Sequence, residues 1–195
     1  MSCSFRVAAI VLAAGASRRL GRAKQTVVLG GESLVERAVR VALEAGLAPV
    51  IVVVGAEGEF AAELAKSGCE VVVNGQASEG VASSIRCGVE RARALPVDGA
   101  VLMTCDQVAL RAEHLRALSS EAGRITGSSY EGKVGIPAYF PAASFGALLE
   151  LRGDVGARDL LRDAFAVVDE GLGLDIDTEE DLERARALFG DALRG

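Results

Sequence analysis

The sequence predicts an α/β fold, an open doubly wound and mostly parallel sheet with helices on both faces, and three observations lead there. Apolar runs of strand length alternate with amphipathic segments of helix length through roughly the first two-thirds of the chain. Some of these runs are continuous rather than alternating, as in strands covered on both faces. The composition is half hydrophobic but only 4% aromatic, and its Ala, Val, Leu and Gly bias suits helices packed closely on a sheet. A chain of 195 residues is long enough for one well-buried domain, and no Pro/Ser-rich linker or low-complexity tract divides it, so 1–195 is expected to be a single domain.

The elements run in this order. Val7–Leu12 is the first strand, and the segment Ser33–Gly46 has apolar residues at helical spacing until Gly46 stops it. Pro49–Val54 reads as a strand buried on both faces, Glu57–Ser67 as a helix and Glu70–Val73 as a short strand. The pattern repeats with a helix over Glu79–Leu95, carrying Ser83 and Ser84 in its first turn, then a strand over Gly99–Thr104 and a helix over Glu113–Ser120. Gly30-Gly31 and Gly171–Gly173 read as turns. Near the C-terminus a short strand is expected to carry Asp175 and Asp177 on one face and to lead into a helix, with Thr178 as N-cap and Glu180 and Asp181 behind it. Strand–helix units of this kind imply right-handed crossovers and ligands at the carboxyl ends of the strands.

Several function classes are excluded. A formal net charge of -6 argues against a nucleic-acid partner, whose phosphates need a basic surface. Cys3, Cys69, Cys87 and Cys105 stand apart with no Cys-x-x-Cys pair, which fits free thiols in a reducing cytoplasm rather than a zinc ribbon or redox dithiol. No apolar run approaches membrane-spanning length and no cleavable leader is recognisable, so a cytoplasmic protein is expected. His114 is the only histidine and reads as an exposed helix residue, which leaves serine or cysteine hydrolase chemistry without a constellation.

The chemistry concentrates in Ile10–Lys24. An apolar strand runs into Ala13-Ala14-Gly15, where small residues let backbone N–H groups approach an anion, and Arg18, Arg19, Arg22 and Lys24 supply positive charge. The spacing fits neither a P-loop, because no Gly-Lys-Ser/Thr core is present, nor a dinucleotide fingerprint. The bland alternative is a Gly-rich turn with solvated arginines. The segment resembles the signature Leu-Ala-Ala/Gly-Gly-x-Ser-x-Arg-x-Gly-x-x-Lys of nucleotidyltransferases that activate sugars, polyol phosphates and the molybdenum cofactor. Leu12, Ala13, Ala14, Gly15, Ser17, Arg19, Gly21 and Lys24 fill its fixed positions.

Other segments extend the resemblance to the molybdenum cofactor cytidylyltransferases, within the MobA-like NTP transferases. Asn74–Ser84 is similar to that family's Asn…Gly-Met-x-Ser-Ser-Leu loop near the nucleotide, where helix-start N–H groups and Ser83 would suit an anion or base edge, N-capping by Ser83 or Ser84 being the alternative. Gly135-Ile-Pro137-Ala-Tyr-Phe140 and Gly153-Asp-Val-Gly156-Ala-Arg158 are similar to its acceptor-side loops, with Pro137 and Arg158 as acceptor-binding candidates and plain solvation the alternative for Arg158. Asp106, directly after a strand, is either a metal ligand or a helix N-cap, and the resemblance favours the metal. The family often has Asp-x-Pro there, whereas this chain has Asp106-Gln107-Val108. Asp175 is chosen over Asp177 as the second ligand.

The resemblance thus implies a nucleotide-diphospho-sugar transferase type of fold. It also implies a Mg²⁺-dependent transfer of CMP from CTP to the phosphate of molybdopterin or its metal-loaded form, with pyrophosphate released. In that account Arg19 and Lys24, with the backbone of Ala14–Ser17 and help from Arg18, hold the triphosphate, and Asp106 and Asp175 hold Mg²⁺. Leu12 and Ala13 meet the base. Ala14, where related guanylyltransferases usually have glycine, favours CTP over GTP. A molybdoenzyme or its chaperone is the implied recipient of the product. Alternatives are a guanylyltransferase, a sugar- or polyol-phosphate transferase, a non-catalytic nucleotide-binding regulator, a cofactor-insertion partner, and an oxidoreductase-like relative.

Overall fold

The computed structural model describes residues 5–15, 20–56 and 61–189. Its elements in chain order are β1 (Val7–Ala13), β2 (Val28–Leu29), β3 (Glu32–Ser33), α1 (Leu34–Glu44), β4 (Val50–Gly55), α2 (Ala61–Leu64) and β5 (Glu70–Asn74). They continue with α3 (Val81–Arg93), β6 (Gly99–Thr104), α4 (Ala112–Leu118), β7 (Thr126–Tyr130), β8 (Lys133–Pro141), α5 (Phe145–Leu149), β9 (Phe165–Val168) and α6 (Glu179–Phe189). Seven strands form one sheet in the order β5-β4-β1-β6-β8-β7-β9, and β2 pairs with β3 in a small hairpin. β5, β4, β1 and β6 run parallel, β8 is antiparallel to both its neighbours, and β9 pairs parallel with β7.

The alternation of side chains along β1 explains the layers. Val7, Ala9, Val11 and Ala13 point to one face and pack with Val35, Val39 and Ala42 of α1 and Leu115 and Leu118 of α4. Ala8, Ile10 and Leu12 point to the other, against Ile85, Val89 and Ala92 of α3 and Phe145 and Leu148 of α5. Gly88 lets α3 sit directly on β1, since a Cβ there would collide with the Ile10 side chain. Helix α1 starts with a capping box: Glu36 N donates to Ser33 Oγ (3.3 Å) and Ser33 N donates to Glu36 Oε2 (2.8 Å).

The parallel half matches the expected elements closely, and Gly99–Thr104 keeps its expected bounds. The rest needs correction. Residues 57–60 of the expected Glu57–Ser67 helix lie outside the described residues, and its remainder is split into the short α2 and a 3₁₀ turn, Ala65–Ser67. Gly135–Phe140 is not a loop but the body of β8, paired with both β6 and β7. Residues 175–177 form no strand; Asp175 makes a single antiparallel bridge with Gln107. His114 is buried, at 6% exposed, rather than on the surface. Its Nε2 lies 2.7 Å from Ser128 Oγ, and Ser128 in turn donates to Pro137 O, so the imidazole fills a polar slot between α4 and the sheet. Burial lowers its pKa, against a smaller opposing pull from Asp169. Among the described residues no helix is long and apolar enough to cross a membrane.

Candidate active site

The sheet register places the site. β1 lies between β4 and β6, with Leu12 opposite Thr104, so the Ala14-Gly15 loop and Asp106 leave adjacent strands at the same end. Chain connections diverge there to either side, which opens the crevice where ligands of doubly wound sheets bind. A third apolar cluster adjoins the two acidic segments: Val108 and Ile176 pack with Val27, Leu29 and Leu34 and with Leu182 and Ala185 of α6. Ile176 N donates to Asp106 O (3.1 Å), which ties the two acidic segments together through their backbones.

Lys24, in the 3₁₀ turn Lys24–Thr26, reaches into this corner. Its Nζ donates to Asp106 Oδ2 and to Asp177 Oδ1, the latter at 3.1 Å. Burial works to deprotonate the amine, but Asp106 and Asp177 outweigh it and hold the ammonium above the ordinary lysine range. Asp106 is only 7% exposed, and its Oδ1, like Asp175 Oδ1, is buried without a hydrogen-bond partner among the described residues. The Asp175 carboxyl is pushed up to about 7, first by burial and then by Asp106 and Asp177. Buried oxygens with no donor and carboxylates repelling one another are what a hard cation would relieve. Among the described residues no three metal-ligating side chains are grouped for an ion. Mg²⁺ beside a triphosphate needs only one or two carboxylates, phosphate and water oxygens completing the shell. Of the two strand aspartates weighed, Asp175 has the unpartnered oxygen and Asp177 is engaged with Lys24.

The remaining candidates divide. Leu12 and Ala13 end β1 and are buried, while Ala14 and Gly15 open onto the crevice; Ser17, Arg18 and Arg19 lie outside the described residues. Arg22 pairs with Glu179 on the surface (2.8 Å). Ser83 is 4% exposed and its hydroxyl is spent internally, accepting from Asn74 Nδ2 (2.9 Å) and facing the Gln76 and Gly80 carbonyls, so it braces the loop rather than presenting itself to a ligand. Nor is the start of α3 open to an anion as expected. Ala82 N donates to Gly153 O (3.2 Å) and Val81 N to Asp154 Oδ1 (3.4 Å), so the 153–156 loop caps the helix. Gly80, at φ +109°, permits that approach, because a Cβ would strike the Gly153 carbonyl. Pro137 is buried within β8 and offers almost no surface, its carbonyl being taken by Ser128 (2.6 Å). Arg158 is exposed, and its charge slightly opposes the upward push that burial, Asp175 and Asp106 give the Tyr130 hydroxyl. Thr178 does cap α6: Asp181 N donates to Thr178 Oγ1 (3.2 Å) and Thr178 N to Asp181 Oδ2 (2.9 Å).

Arg37 and Gln107 were not expected at the site. In place of a proline at 108, the turn after Asp106 is held by Arg37 of α1, which donates to Val108 O (2.5 Å) and Leu110 O (3.2 Å). Arg37 stands four residues before Val41 and so shares its buried face, but its charge argues for exposure.

The MobA-like NTP transferase domain matches residues 9–169. The purine catabolism protein PucB of Bacillus subtilis is 33% identical over 91% of this chain and 94% of its own length. The nicotine blue oxidoreductase of Paenarthrobacter nicotinovorans is 32% identical over 91% and 95%. A probable molybdenum cofactor guanylyltransferase of Opitutus terrae is 39% identical over a shorter stretch, 41% of this chain and 40% of that one. Among solved structures, Rv0371c of Mycobacterium tuberculosis superposes with a TM-score of 0.76 at 31% identity, covering 92% of this chain and 97% of that one, and it also has a structure in complex with manganese. A chain whose sheet brings a Leu-Ala-Ala-Gly loop, a half-buried lysine and two carboxylates to one crevice, and whose length is matched in this way, belongs to the MobA-like NTP transferase family and is a nucleotidyltransferase.

Proposed function

We propose that this protein transfers CMP from CTP to the phosphate of molybdopterin, or of its metal-loaded form, in a Mg²⁺-dependent reaction that releases pyrophosphate. The observation that carries the metal site is the pair of unpartnered buried oxygens, Asp106 Oδ1 and Asp175 Oδ1, beside Lys24 at the carboxyl ends of β1 and β6. The acceptor and the base rest on the motifs quoted above, Ala14 favouring CTP and the Gly153–Arg158 segment favouring a phosphorylated pterin. GTP is the alternative nucleotide, supported by the similarity to a guanylyltransferase.

In this reading 1–195 works as one nucleotidyltransferase domain. The acceptor phosphate attacks the α-phosphorus in line, so the protein positions and neutralises charge rather than forming a covalent intermediate. Lys24 stays protonated throughout and places a fixed positive charge at the crevice, while Arg19 and Arg18, with the backbone of Ala14–Ser17, hold the triphosphate. Leu12 and Ala13 set the base against the end of β1. Asp106 and Asp175 would hold the divalent ion, which supplies charge neutralisation at the α-phosphate and the leaving pyrophosphate. Arg158 directs the acceptor's phosphate toward the corner. Ser83 and Pro137 enter this reading as supports of the nucleotide and acceptor segments.

Pyrophosphate release from purified protein, Mg²⁺ and molybdopterin, with CTP or GTP in parallel, tests it. Release with CTP that depends on the acceptor is expected. A preference for GTP moves the assignment to the guanylyltransferase, and CTP binding without release in the presence of molybdopterin rejects the acceptor.

A further inference from the structure

The turn after Asp106 is fixed from two sides. On one side Arg37, only 8% exposed, holds the Val108 and Leu110 carbonyls with a single guanidinium nitrogen, and Leu110 N closes the turn onto Gln107 O (3.1 Å). On the other side Gln107, 5% exposed, offers its Nε2 to Ile136 O (3.2 Å) and the Tyr130 hydroxyl (3.3 Å), on β8 and β7. Its backbone bridges Asp175. Gln107 is therefore the joint between the two segments that carry the carboxylates, and Arg37 fixes that joint to α1.

Two buried atoms in this arrangement have no partner among the described residues, the donor Arg37 Nε and the acceptor Gln107 Oε1. Both residues line one small cavity, which Thr104 and Cys105 also border and which leaves about 10 Å³ for the centre of a water-sized sphere. That is close to the room one water needs, and a water is stable only where it finds polar partners. A donor and an acceptor on two residues that border it supply two.

We propose that Arg37 and Gln107 are positioning residues for Asp106 and Asp175, joined by one buried water that accepts from Arg37 Nε and donates to Gln107 Oε1. The role rests on the reading of those carboxylates as metal ligands. Neither residue touches substrate. They set the separation and orientation of the two unpartnered carboxylate oxygens, as outer partners of metal ligands do elsewhere, where their loss weakens metal affinity roughly 10–100-fold.

The test is Mn²⁺ affinity by electron paramagnetic resonance, with a non-hydrolysable CTP analogue present, for the wild type and Asp106→Ala, Arg37→Met, Arg37→Lys and Gln107→Leu, each checked for fold by circular dichroism. Asp106→Ala should abolish tight binding; if it leaves Mn²⁺ affinity unchanged, the metal reading itself fails. With that control in place, Arg37→Met and Gln107→Leu should each weaken Mn²⁺ about tenfold. They should lower kcat while leaving the KM for CTP within about twofold, with Arg37→Lys between wild type and Arg37→Met. Wild-type affinity in a folded Arg37→Met or Gln107→Leu protein overturns the positioning role. If Arg37→Met does not fold, Gln107→Leu and Arg37→Lys decide. A high-resolution crystal structure should place a water peak within hydrogen-bond distance of Arg37 Nε and Gln107 Oε1, and a dry cavity overturns the bridge.

Discussion

Two of the buried polar clusters among the described residues are built on opposite terms. In the first, His114 faces Ser128, Ser128 donates to Pro137 O, and each polar step ends on a backbone acceptor or a nearby carboxylate. In the second, Asp106 and Asp177 both bind Lys24, Asp175 feels the charge of all three, and two carboxylate oxygens are left without a donor among the described residues. The first resembles a serine–histidine–aspartate set but is closed: Ser128 is fully buried and its proton is committed to a carbonyl. Satisfied polar groups specify packing, whereas unsatisfied and mutually repelling ones mark where a ligand is expected.

Substitutions in the two clusters should therefore separate activity from stability. The largest effect is expected at Asp106→Ala, which should lower pyrophosphate release by about 10²–10³-fold while circular dichroism remains that of the wild type. Next, Asp175→Asn should cost about tenfold or more in turnover, and it carries a pH signature. Because the folded-state pKa stands at about 7 against an ordinary 3.8, its contribution to stability is fully present below about pH 4 and is lost as pH rises through 7. Thermal melts of the metal-free protein should show that decline in the wild type and a flatter profile in Asp175→Asn. In the closed cluster, Ser128→Ala should leave His114 Nε2 short of a partner, costing about 1–3 kcal/mol in denaturant unfolding with turnover changed less than about twofold. Smallest of all, Glu179→Ala removes an exposed pair with Arg22 and should shift stability by no more than about 1 kcal/mol. A Ser128→Ala protein that unfolds little but loses turnover would erase the distinction between the clusters.

The two halves of the chain differ in how legible they were. β1, β4 and β6 are covered on both faces, so their burial is written as continuous apolar runs, and Asp106, two residues beyond β6, could be identified as a rim carboxylate. β7 reads Thr-Gly-Ser-Ser-Tyr and has no such run; Ser128 is buried because it meets polar partners, His114 of α4 and the Pro137 carbonyl of β8, which periodicity does not register. The Gly and Pro of β8 spoke for a loop, yet that strand is held on both edges. His114 stands four residues before Leu118 and shares its buried face, a signal that was present but outweighed by the polar neighbours in so short a helix. At the site, the loop, Lys24 and both carboxylates could be named from motifs and element ends. The contributions of Arg37 and Gln107 could not, since they depend on backbone carbonyls that only the folded chain brings within reach.

One oxygen each of Asp106 and Asp175, left without a donor among the described residues, is proposed to hold a divalent ion beside the nucleotide. Anomalous diffraction from crystals grown with Mn²⁺ and a non-hydrolysable CTP analogue tests it most directly. A single anomalous peak is expected, bonded to one oxygen of Asp106, one of Asp175 and the α-phosphate, at about 2–2.3 Å. A peak elsewhere, with both carboxylates turned to protein donors, would contradict it.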